Sequence, residues 1–377
     1  MDTLDELLHP ITPERFRAEY EDRKPLHIPA GAGGHKRALL DWAAFNDLLN
    51  RPAVWTSKSL RLMRDHIPVP PEQYCRPVTT PDGPVMRPAP GKVDVFLSAG
   101  ASLVANDVLD LHPPLARLGQ TLGEVWGALV GANIYCSFSG VRAFGTHFDN
   151  HDVFVVHTEG EKVWNIYERR ADNPVDPLED TMETRRWFEQ TRGRVIEEVR
   201  MRPGDVLYLP RGWYHDALAV DGPSLHVTFS VNPLYGRIMF SLLDHAAMQN
   251  PAFRAWLPAA REENGEALRR RLAELGELLA NIAASPAFRD EVAMAQRRLV
   301  PRAANFTLPE RKPVTLYQTT GRAFPPASTG VRVVYDWAME ERRFALEDMV
   351  AQFDFLSEAE VRAGLTAAEE AGAVRKV

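Results

Sequence analysis

The residues with the clearest chemical potential are two histidines and an aspartate in two short stretches. His147 and Asp149 lie two positions apart in GTHFD, residues 145–149, between two runs typical of strands. Because side chains two positions apart face the same side of an extended chain, His147 and Asp149 should aim at one point. His215 ends the stretch GDVLYLPRGWYH, residues 204–215, where Gly-Asp turns the chain into a strand and Pro-x-Gly turns it out again. We therefore expect His215 at the entrance of a strand.

Two imidazoles and one carboxylate form the donor set of a facial triad for Fe(II), which leaves coordination positions open on one side of the metal. An isolated His-x-Asp pair is common by chance. Joined to a downstream Pro-x-Gly-x2-His element in a chain with strand patterns on both sides, it strongly indicates a metal site. We predict that His147, Asp149 and His215 are the metal ligands and form the catalytic centre.

Two further histidines compete for this role. His151 continues the alternation from His147 and Asp149, and His226 lies on the last predicted strand. Either could support the ligands or face the substrate. His215 is preferred because it alone follows a Pro-x-Gly-x2 segment, and His157 is expected to be structural. The sequence contains no HExxH, no GxGxxG after a strand and no GxxxxGK[ST], so zincin, dinucleotide and P-loop interpretations lack their starting residues.

The surrounding pattern predicts the elements that must hold these residues. Residues 132–232 contain short apolar or alternating runs separated by Gly, Pro and charged turns, which is typical of an all-β barrel or sandwich. After Pro233 the apolar period becomes helical, and a connector is expected over 301–326. The tail is predicted to form a strand at VRVVYDW, residues 331–337, and then two helices. We expect a catalytic domain over 1–233, a helical module over 234–300, and a linker with a winged-helix-like domain over 301–377.

The segment GANIYCSFSGVRAFGTHFDNHDVFVVHTEGEKVWNIYE, residues 131–168, resembles the Jumonji-C oxygenases of the cupin superfamily, and among them the ribosomal oxygenases. The similarity is close over roughly 90–235 and looser over the rest of the chain. It implies a mainly β fold, in which a double-stranded β-helix (jelly-roll, cupin) barrel precedes the helical module and the tail. It also implies Fe(II), 2-oxoglutarate as co-substrate, and O2, with hydroxylation of a side chain in a protein, such as a ribosomal protein, or in a peptide.

The resemblance further implies residues for the co-substrate. Lys162 occupies the position of the cation that pairs with the distal carboxylate of 2-oxoglutarate, an interaction suited to an ammonium group. Asn133 and Tyr135 share a face of the strand before His-x-Asp and are expected to line the same pocket. Thr228 and Ser230 are expected to add hydroxyl contacts. Each of these four could also be an ordinary hydrogen-bonded strand residue.

Two other functions stay open. One is an oxygenase of a small molecule or peptide natural product on the same barrel, favoured by a proline-rich irregular stretch over 68–90 and a long segment of mixed charge over 169–190. The other is a metal-binding cupin without turnover that serves as an interaction module. Lys162 argues against the latter, because a simple metal site does not require a cation there.

Composition restricts the partners. The net charge is −7 and the pI is about 5.9, so nucleic-acid binding is disfavoured, since it requires clustered basic residues. The two cysteines, Cys75 and Cys136, form no disulfide framework and no metal motif, which favours a reducing cytoplasm. The acidic first residues predict no secretion signal, and no stretch is apolar for long enough to predict a membrane span.

A leucine stripe predicts self-association. Leu268, Leu272, Leu275 and Leu279 repeat at helical spacing among Arg and Glu residues. Such a stripe must be buried, and a second protomer is a natural partner, which predicts a homodimer. The competing site is the chain's own tail, whose apolar stripe comprises Leu346, Met349, Val350 and Phe353.

Overall fold

The computed structural model describes residues 1–31, 34–64, 67–138, 145–179, 181–219, 222–304, 306 and 314–377. The chain divides into two compact units. The first comprises Met1–Pro233 with Val300–Ala304, and the second comprises Leu234–Leu299 with Asn305–Val377.

The first unit is dominated by antiparallel strands. In chain order they are β1 (Leu26–Ile28), β2 (Leu60–Arg64), β3 (Ile67–Pro68), β4 (Cys75–Thr80), β5 (Gly83–Pro88), β6 (Ser102–Ala105), β7 (Ala128–Ser137), β8 (Asp152–Glu159), β9 (Lys162–Arg170), β10 (Val195–Met201), β11 (Val206–Leu209), β12 (Trp213–Ala219) and β13 (Ser224–Pro233). The main sheet has the order β1-β11-β8-β13-β7-β6-β2-β3, and a second sheet has the order β10-β9-β12. The prediction of a mainly β unit is confirmed.

Alternation along the central strands separates the core from the site. On β7, Val130, Ala132 and Ile134 are buried in the main core, whereas the intervening Asn133 and Tyr135 face the other way and are only partly buried. On β8, Val153 and Val155 pack between the two sheets with Trp164 and Ile166 of β9, while Phe154 and Val156 join the main core. Strands with apolar residues on both faces are buried on both faces, which makes them a rigid support for a site.

Helices cover the outer face of the main sheet. They are α1 (Leu4–Leu8), α2 (Pro13–Glu19), α3 (Trp42–Leu49), α4 (Pro71–Tyr74), α5 (Pro90–Ser98), α6 (Pro113–Trp126) and α7 (Met182–Thr191), with 3₁₀ turns at His35–Leu39 and Leu109–Leu111. Phe16 of α2 is fully buried and packs edge-on against Tyr208 at a centroid distance of 4.8 Å. Of these helices, α7 does not cover the main sheet. It lies in the connection from β9 to β10 and belongs to the site described below.

The segment over 68–90, which we expected to be irregular, is ordered, and that prediction is wrong. It contains α4 and the hairpin of β4 and β5, in which Val78 pairs with Val85. The prolines are compatible with this hairpin because β4 and β5 form a two-stranded sheet, so each strand is an edge strand on which a missing N–H is tolerated.

The second unit begins with helices and ends with a small mixed region. Its elements are α8 (Ile238–Met248), α9 (Pro251–Arg254), a 3₁₀ turn (Glu262–Gly265), α10 (Glu266–Ala283), α11 (Pro286–Leu299), β14 (Leu316–Thr319), α12 (Thr329–Glu341), β15 (Arg343–Ala345), α13 (Leu346–Gln352), α14 (Glu358–Glu370) and β16 (Val374–Lys376). The three strands form a sheet in the order β15-β14-β16. None of the described helices in either unit combines the length and apolarity that a bilayer span requires.

The expected strand at residues 331–337 is a helix, and that prediction is wrong. Ser328 caps α12 by accepting a hydrogen bond from the Val331 N–H, and Val334, Tyr335 and Ala338 are buried on one face. The β-branched residues that suggested a strand are also spaced as a helical stripe, and burial of that stripe outweighs their weak intrinsic preference. A short strand, β14, lies instead within the expected connector over 301–326.

The two apolar stripes of the second unit have different surroundings. Leu346, Met349 and Phe353 are buried in the core formed by α12, α13 and α14, with Val350 packed against it. No residue of α10 is fully buried, and Leu272 is 52% exposed. The other stripe residues, Leu268, Leu275 and Leu279, are partly buried, and α10 contacts α8 and α11 of the same module, so Leu272 is the exposed part of the stripe.

Candidate metal centre

The backbone brings the two predicted histidine ligands together. The His147 N–H donates to the His215 carbonyl at 3.0 Å, and the His215 N–H donates to the His147 carbonyl at 2.9 Å. This antiparallel pair joins the segment before β8 to the start of β12, although the two residues are far apart in sequence. Because neighbouring strands fix their side chains in register, both imidazoles project on the same side.

The three predicted ligands form one cluster. One ligand atom from each of His147, Asp149 and His215 lies within 4.8 Å of the other two. The imidazole centroids of the two histidines are 4.5 Å apart, and His215 Nε2 is 3.6 Å from Asp149 Oδ2. Such a separation of donor atoms is what a common ion between them requires.

Both imidazoles are oriented by main-chain carbonyls. The Gly145 carbonyl lies 2.8 Å from His147 Nδ1, and the Trp213 carbonyl lies 2.9 Å from His215 Nδ1. Since a carbonyl oxygen only accepts, each Nδ1 carries the proton and each Nε2 keeps its lone pair. The backbone thus orients both imidazoles so that each Nε2 can bind a metal.

The charge states of the cluster suit a divalent cation. Burial, reinforced by nearby His147, lowers the pKa of His215 to about 4, so this ligand is a neutral imidazole at neutral pH. Burial opposes ionisation of Asp149, but His151, His147 and His215 outweigh it and hold the pKa of the carboxyl below its usual value. Two imidazoles and one carboxylate are the donor set that Fe(II) oxygenases use.

The cluster opens into a cavity of about 170 Å³ between the two sheets. It is smaller than the roughly 300–1,000 Å³ typical of drug-sized ligands, so it fits a small metabolite. All the residues predicted for the co-substrate line it together with the three ligands: Asn133, Tyr135, Lys162, Thr228 and Ser230. The register of β7 and β13 explains this, because Asn133 pairs with Thr228 and Gly131 pairs with Ser230.

Lys162 is a buried cation that lacks a counter-ion in the described chain. Its side chain is 3% exposed, and its ammonium donates to Ser137 Oγ at 3.5 Å. No carboxylate among the described residues lies within 4.0 Å of it. Burial lowers its pKa to about 8, with Cys136 opposing the shift. A buried ammonium without a counter-ion is costly, so an anionic ligand in the cavity would complete the site.

The competing histidines lie nearby but outside the cluster. His226 stacks on Tyr135 at 4.9 Å, and its Nδ1 is buried without a hydrogen-bond partner among the described residues. His151 lines the cavity, with Nδ1 3.2 Å from the Asp152 carbonyl. His157, expected to be structural, is fully buried with Nε2 3.0 Å from the Gly160 carbonyl.

A larger cleft of about 320 Å³ shares His147 and Asp149 with the cavity. Its walls combine apolar residues with both charge signs: Arg61, Phe148, Asp176, Leu178, Glu179, Arg185 and Phe188. Several of these residues come from the mixed-charge segment over 169–190, which the sequence did not assign to an element and which contains α7. The cleft gives a second, wider access to the triad.

Sequence reasoning missed the polar groups behind the ligands. Asp216 is buried next to His215 and accepts hydrogen bonds from Thr146 Oγ1 at 3.0 Å and from Asn165 Nδ2 at 2.9 Å. Arg192, at the end of α7, reaches the same group. No local motif marks these residues, because they come from four separate segments. The one available indication was the presence of polar residues directly beside two predicted ligands.

The comparisons with known proteins agree with this geometry. Residues 109–237 match the family model of the JmjC domain. Ribosomal oxygenase 1 of Danio rerio is 26% identical over 259 residues, which cover 67% of this chain and 45% of that protein. Bifunctional lysine-specific demethylase and histidyl-hydroxylase NO66 of Aedes aegypti is 29% identical over 60% of this chain and 34% of that protein. The chain thus spans less than half the length of these curated relatives.

Among solved structures, YcfD of Escherichia coli has a TM-score of 0.54 at 15% identity, covering 97% of this chain and 98% of that one. A structure of YcfD, a ribosomal oxygenase, in complex with cobalt and 2-oxoglutarate has a TM-score of 0.52 at 15% identity, with the same coverage. These two likenesses concern the fold. Together with the JmjC match, they confirm the predicted cupin-type fold class.

Proposed function

Because residues 109–237 match the family model of the JmjC domain, we propose that this chain is an Fe(II)- and 2-oxoglutarate-dependent oxygenase that hydroxylates a side chain of a protein or peptide. The observation that carries the proposal is the cavity shared by the triad and Lys162. It combines the donor set for Fe(II) with a buried ammonium that can pair with an anionic ligand. A metal-binding module without turnover would have no use for that ammonium.

His147, Asp149 and His215 would hold the iron, and the fit of the donors supports this assignment. Asp149 supplies a carboxylate, while the two imidazoles supply nitrogen donors whose orientation is fixed by the Gly145 and Trp213 carbonyls. When bound, iron and 2-oxoglutarate together supply the oxidising chemistry with O2. The chain's own part is to fix the ligands on one side, so that the other side stays open for co-substrate and O2.

Lys162 would pair with the distal carboxylate of 2-oxoglutarate, and Asn133, Tyr135, Thr228 and Ser230 would orient the molecule. The Asp107 N–H donates to Asn133 Oδ1 at 3.1 Å, which fixes that amide. Buried residues such as Val153 and Trp164 form apolar walls of the same cavity and limit water access. Exclusion of water strengthens the charge pairing with Lys162.

The protein or peptide substrate would enter through the larger cleft. That cleft reaches His147 and Asp149 from outside the co-substrate cavity, so the two compounds need not compete for space. The names of the relatives, ribosomal oxygenase and histidyl-hydroxylase, support a polypeptide substrate. The mixed charge of the walls suits a polypeptide segment with polar and apolar side chains better than a purely apolar small molecule.

The assembly proposal concerns the helical module over 234–300, which would dimerise through the stripe of α10. Leu272 is half exposed, and Phe240 and Trp256 in the same region are 76% and 97% exposed. Large exposed apolar side chains are typical of interaction surfaces. The tail over 301–377, with its expected winged-helix-like form, would serve protein contacts.

A substrate search tests the proposed function. Extract proteins are incubated with the full chain, Fe(II) and 2-oxoglutarate, and peptides are compared by mass spectrometry with an Asp149→Ala control. We expect at least one peptide to gain one oxygen atom in the presence of the wild-type chain and 2-oxoglutarate. Succinate formation stimulated by small metabolites but by no polypeptide fraction would assign the cleft to a small-molecule substrate instead.

A further inference from the structure

The end of α7 contacts the residues that flank two metal ligands in sequence. Thr146 and Phe148 flank His147, while Tyr214 and Asp216 flank His215. None of these four belongs to the triad. Each of them touches α7 or its C-terminal cap, Arg192, as the following contacts show.

Two polar contacts and one ion pair link the cap to these neighbours. Arg192 Nη1 donates to Thr146 Oγ1 at 2.7 Å and lies 3.7 Å from Asp216 Oδ2. Thr191 Oγ1 is 2.8 Å from the Tyr214 hydroxyl. Tyr167 completes the group, since its hydroxyl donates to Asp216 and accepts from Arg192, whose guanidinium lies 4.5 Å from the Tyr167 ring centroid.

The remaining neighbour is held by aromatic packing. Phe148 packs edge-on against Phe188 of α7 at 5.2 Å and against Tyr214 at 5.1 Å. Phe188 and Arg185, both on α7, also line the larger cleft. A single helix therefore forms part of the cleft wall and touches the segments that carry both histidine ligands.

Arg192 provides the positive charge that faces the buried carboxylate of Asp216. The Asp216 side chain is fully buried, whereas Arg192 is 26% exposed and is also paired with Glu189 at 2.6 Å. A buried carboxylate is stabilised by a nearby cation and by hydrogen-bond donors. Arg192 supplies the cation through Nη1, which also donates to Thr146 and Tyr167, and these two hydroxyls in turn donate to Asp216. The second terminal nitrogen, Nη2, pairs with Glu189.

We propose that Arg192 is a positioning residue for the metal: it ties Thr146 to Asp216 and thereby holds His147 and His215 at the spacing that one ion requires. The inference rests on the proposed metal-binding function. Groups that orient ligands in this way typically contribute 10–100-fold to metal affinity. Lysine would keep the charge but lose the second terminal nitrogen, by which Arg192 is also anchored to Glu189.

The test measures metal binding directly on the full chain, freed of metal by a chelator. Mn(II) affinity is determined by calorimetry, and Co(II) is used for its visible absorption spectrum, which reports ligand geometry. The variants are Arg192→Met and Arg192→Lys. The matched control is Arg194→Met, because Arg194 is 78% exposed and pairs with Glu168 away from the triad.

We expect Arg192→Met to weaken Mn(II) binding at least about tenfold and to change the Co(II) spectrum, with partial recovery in Arg192→Lys and no change in Arg194→Met. Wild-type affinity and an unchanged spectrum in both Arg192 variants would overturn the inference. If Arg192→Met does not fold, Arg192→Lys alone decides, by an altered or an unaltered Co(II) spectrum. Failure of the wild-type chain to bind Mn(II) or Co(II) would instead contradict the proposed function.

Discussion

At the scale of single residues, the site depends on groups whose charge is set by burial. Lys162 is the clearest case, because its ammonium is enclosed, lacks a carboxylate partner in the described chain, and has a pKa lowered to about 8. A lysine in that state is still mostly protonated at neutral pH. It should lose its proton over a pH range in which an ordinary lysine remains fully charged.

This shift predicts a pH dependence of co-substrate binding. Since the distal carboxylate of 2-oxoglutarate needs the charged ammonium, affinity should be highest below pH 8 and should fall as the pH rises through about 8. Lys162→Arg should retain part of the affinity and abolish this decline, because a guanidinium stays protonated. Calorimetric titration of 2-oxoglutarate onto the Mn(II)-loaded chain between pH 6.5 and 9.5 measures both.

Lys162→Ala is the reference for that experiment. It should bind 2-oxoglutarate weakly at every pH while keeping most of its Mn(II) affinity, because Lys162 is not a metal ligand. Unreduced 2-oxoglutarate affinity in Lys162→Ala would mean that another cation serves the carboxylate.

The clustering of His147, Asp149 and His215 could be predicted from sequence because each motif is local, although the backbone pairing of His147 with His215 is long-range. The spacing of His147 and Asp149 places them on one face, and the Pro-x-Gly-x2 segment distinguishes His215 from His226 without any knowledge of the fold. The groups behind them could not be predicted. Arg192 meets Asp216 only after α7 folds back onto the barrel, and no periodicity in either segment indicates that contact.

At the scale of elements, the turn between β8 and β9 controls where Lys162 lies. Gly160 has φ of +66° in this turn, and a Cβ atom there would come within 1.9 Å of the Pro223 carbonyl oxygen. The clash is with backbone, so a side-chain rotation cannot relieve it. The turn also begins β9, whose first residue is Lys162.

We predict that Gly160→Ala destabilises the chain more than a glycine substitution that suffers only from conformational strain. Gly31 is the matched control, since its φ is +63° and no atom of the described residues lies within 4 Å of the position that a Cβ would take. Strain alone costs about 1–2 kcal/mol, and overpacking adds about 1–3 kcal/mol. Urea unfolding of both variants tests this, and equal losses of unfolding free energy would contradict the close contact with Pro223.

Element boundaries were predicted well where sequence signals are local and badly where context decides. At the start of α2 the signals are local, since Thr12 is a typical N-cap and Pro13 suits the first helical position, and the Arg15 N–H donates to Thr12 Oγ1 at 3.2 Å. The stretch over 331–337 satisfies both a strand preference and a helical stripe. Packing of α12 against α13 and α14 decides between them, and that packing is invisible in the isolated segment.

At the scale of the whole molecule, the proposed dimer rests on the exposed part of the α10 stripe, since Leu272 is exposed while Leu268, Leu275 and Leu279 are partly buried. The tail stripe, which competed as a burial site, is already buried in its own core, whereas Leu272 remains 52% exposed. We expect light scattering at micromolar concentration to give a dimer mass for the wild-type chain. The double variant Leu272→Glu, Leu275→Glu should give a monomer, because charges at an apolar interface oppose association.

A double variant of the tail provides the control for that experiment. Leu346 and Met349 are buried in the C-terminal core, so Leu346→Ala with Met349→Ala should lower thermal stability without dissociating the dimer. A monomeric mass for the wild-type chain would contradict the proposed dimer. It would mean that the α10 stripe packs within the helical module.

The central claim is that one metal ion, held by His147, Asp149 and His215, creates the binding site for 2-oxoglutarate beside Lys162. The most direct measurement is calorimetry of Mn(II), followed by 2-oxoglutarate, on the full chain and on His215→Ala, with His226→Ala as the matched histidine control. We predict one Mn(II) per wild-type chain, 2-oxoglutarate binding only after the metal, loss of Mn(II) binding in His215→Ala and its retention in His226→Ala. Undiminished Mn(II) binding by His215→Ala would contradict the claim. So would a 2-oxoglutarate affinity that is the same with and without Mn(II).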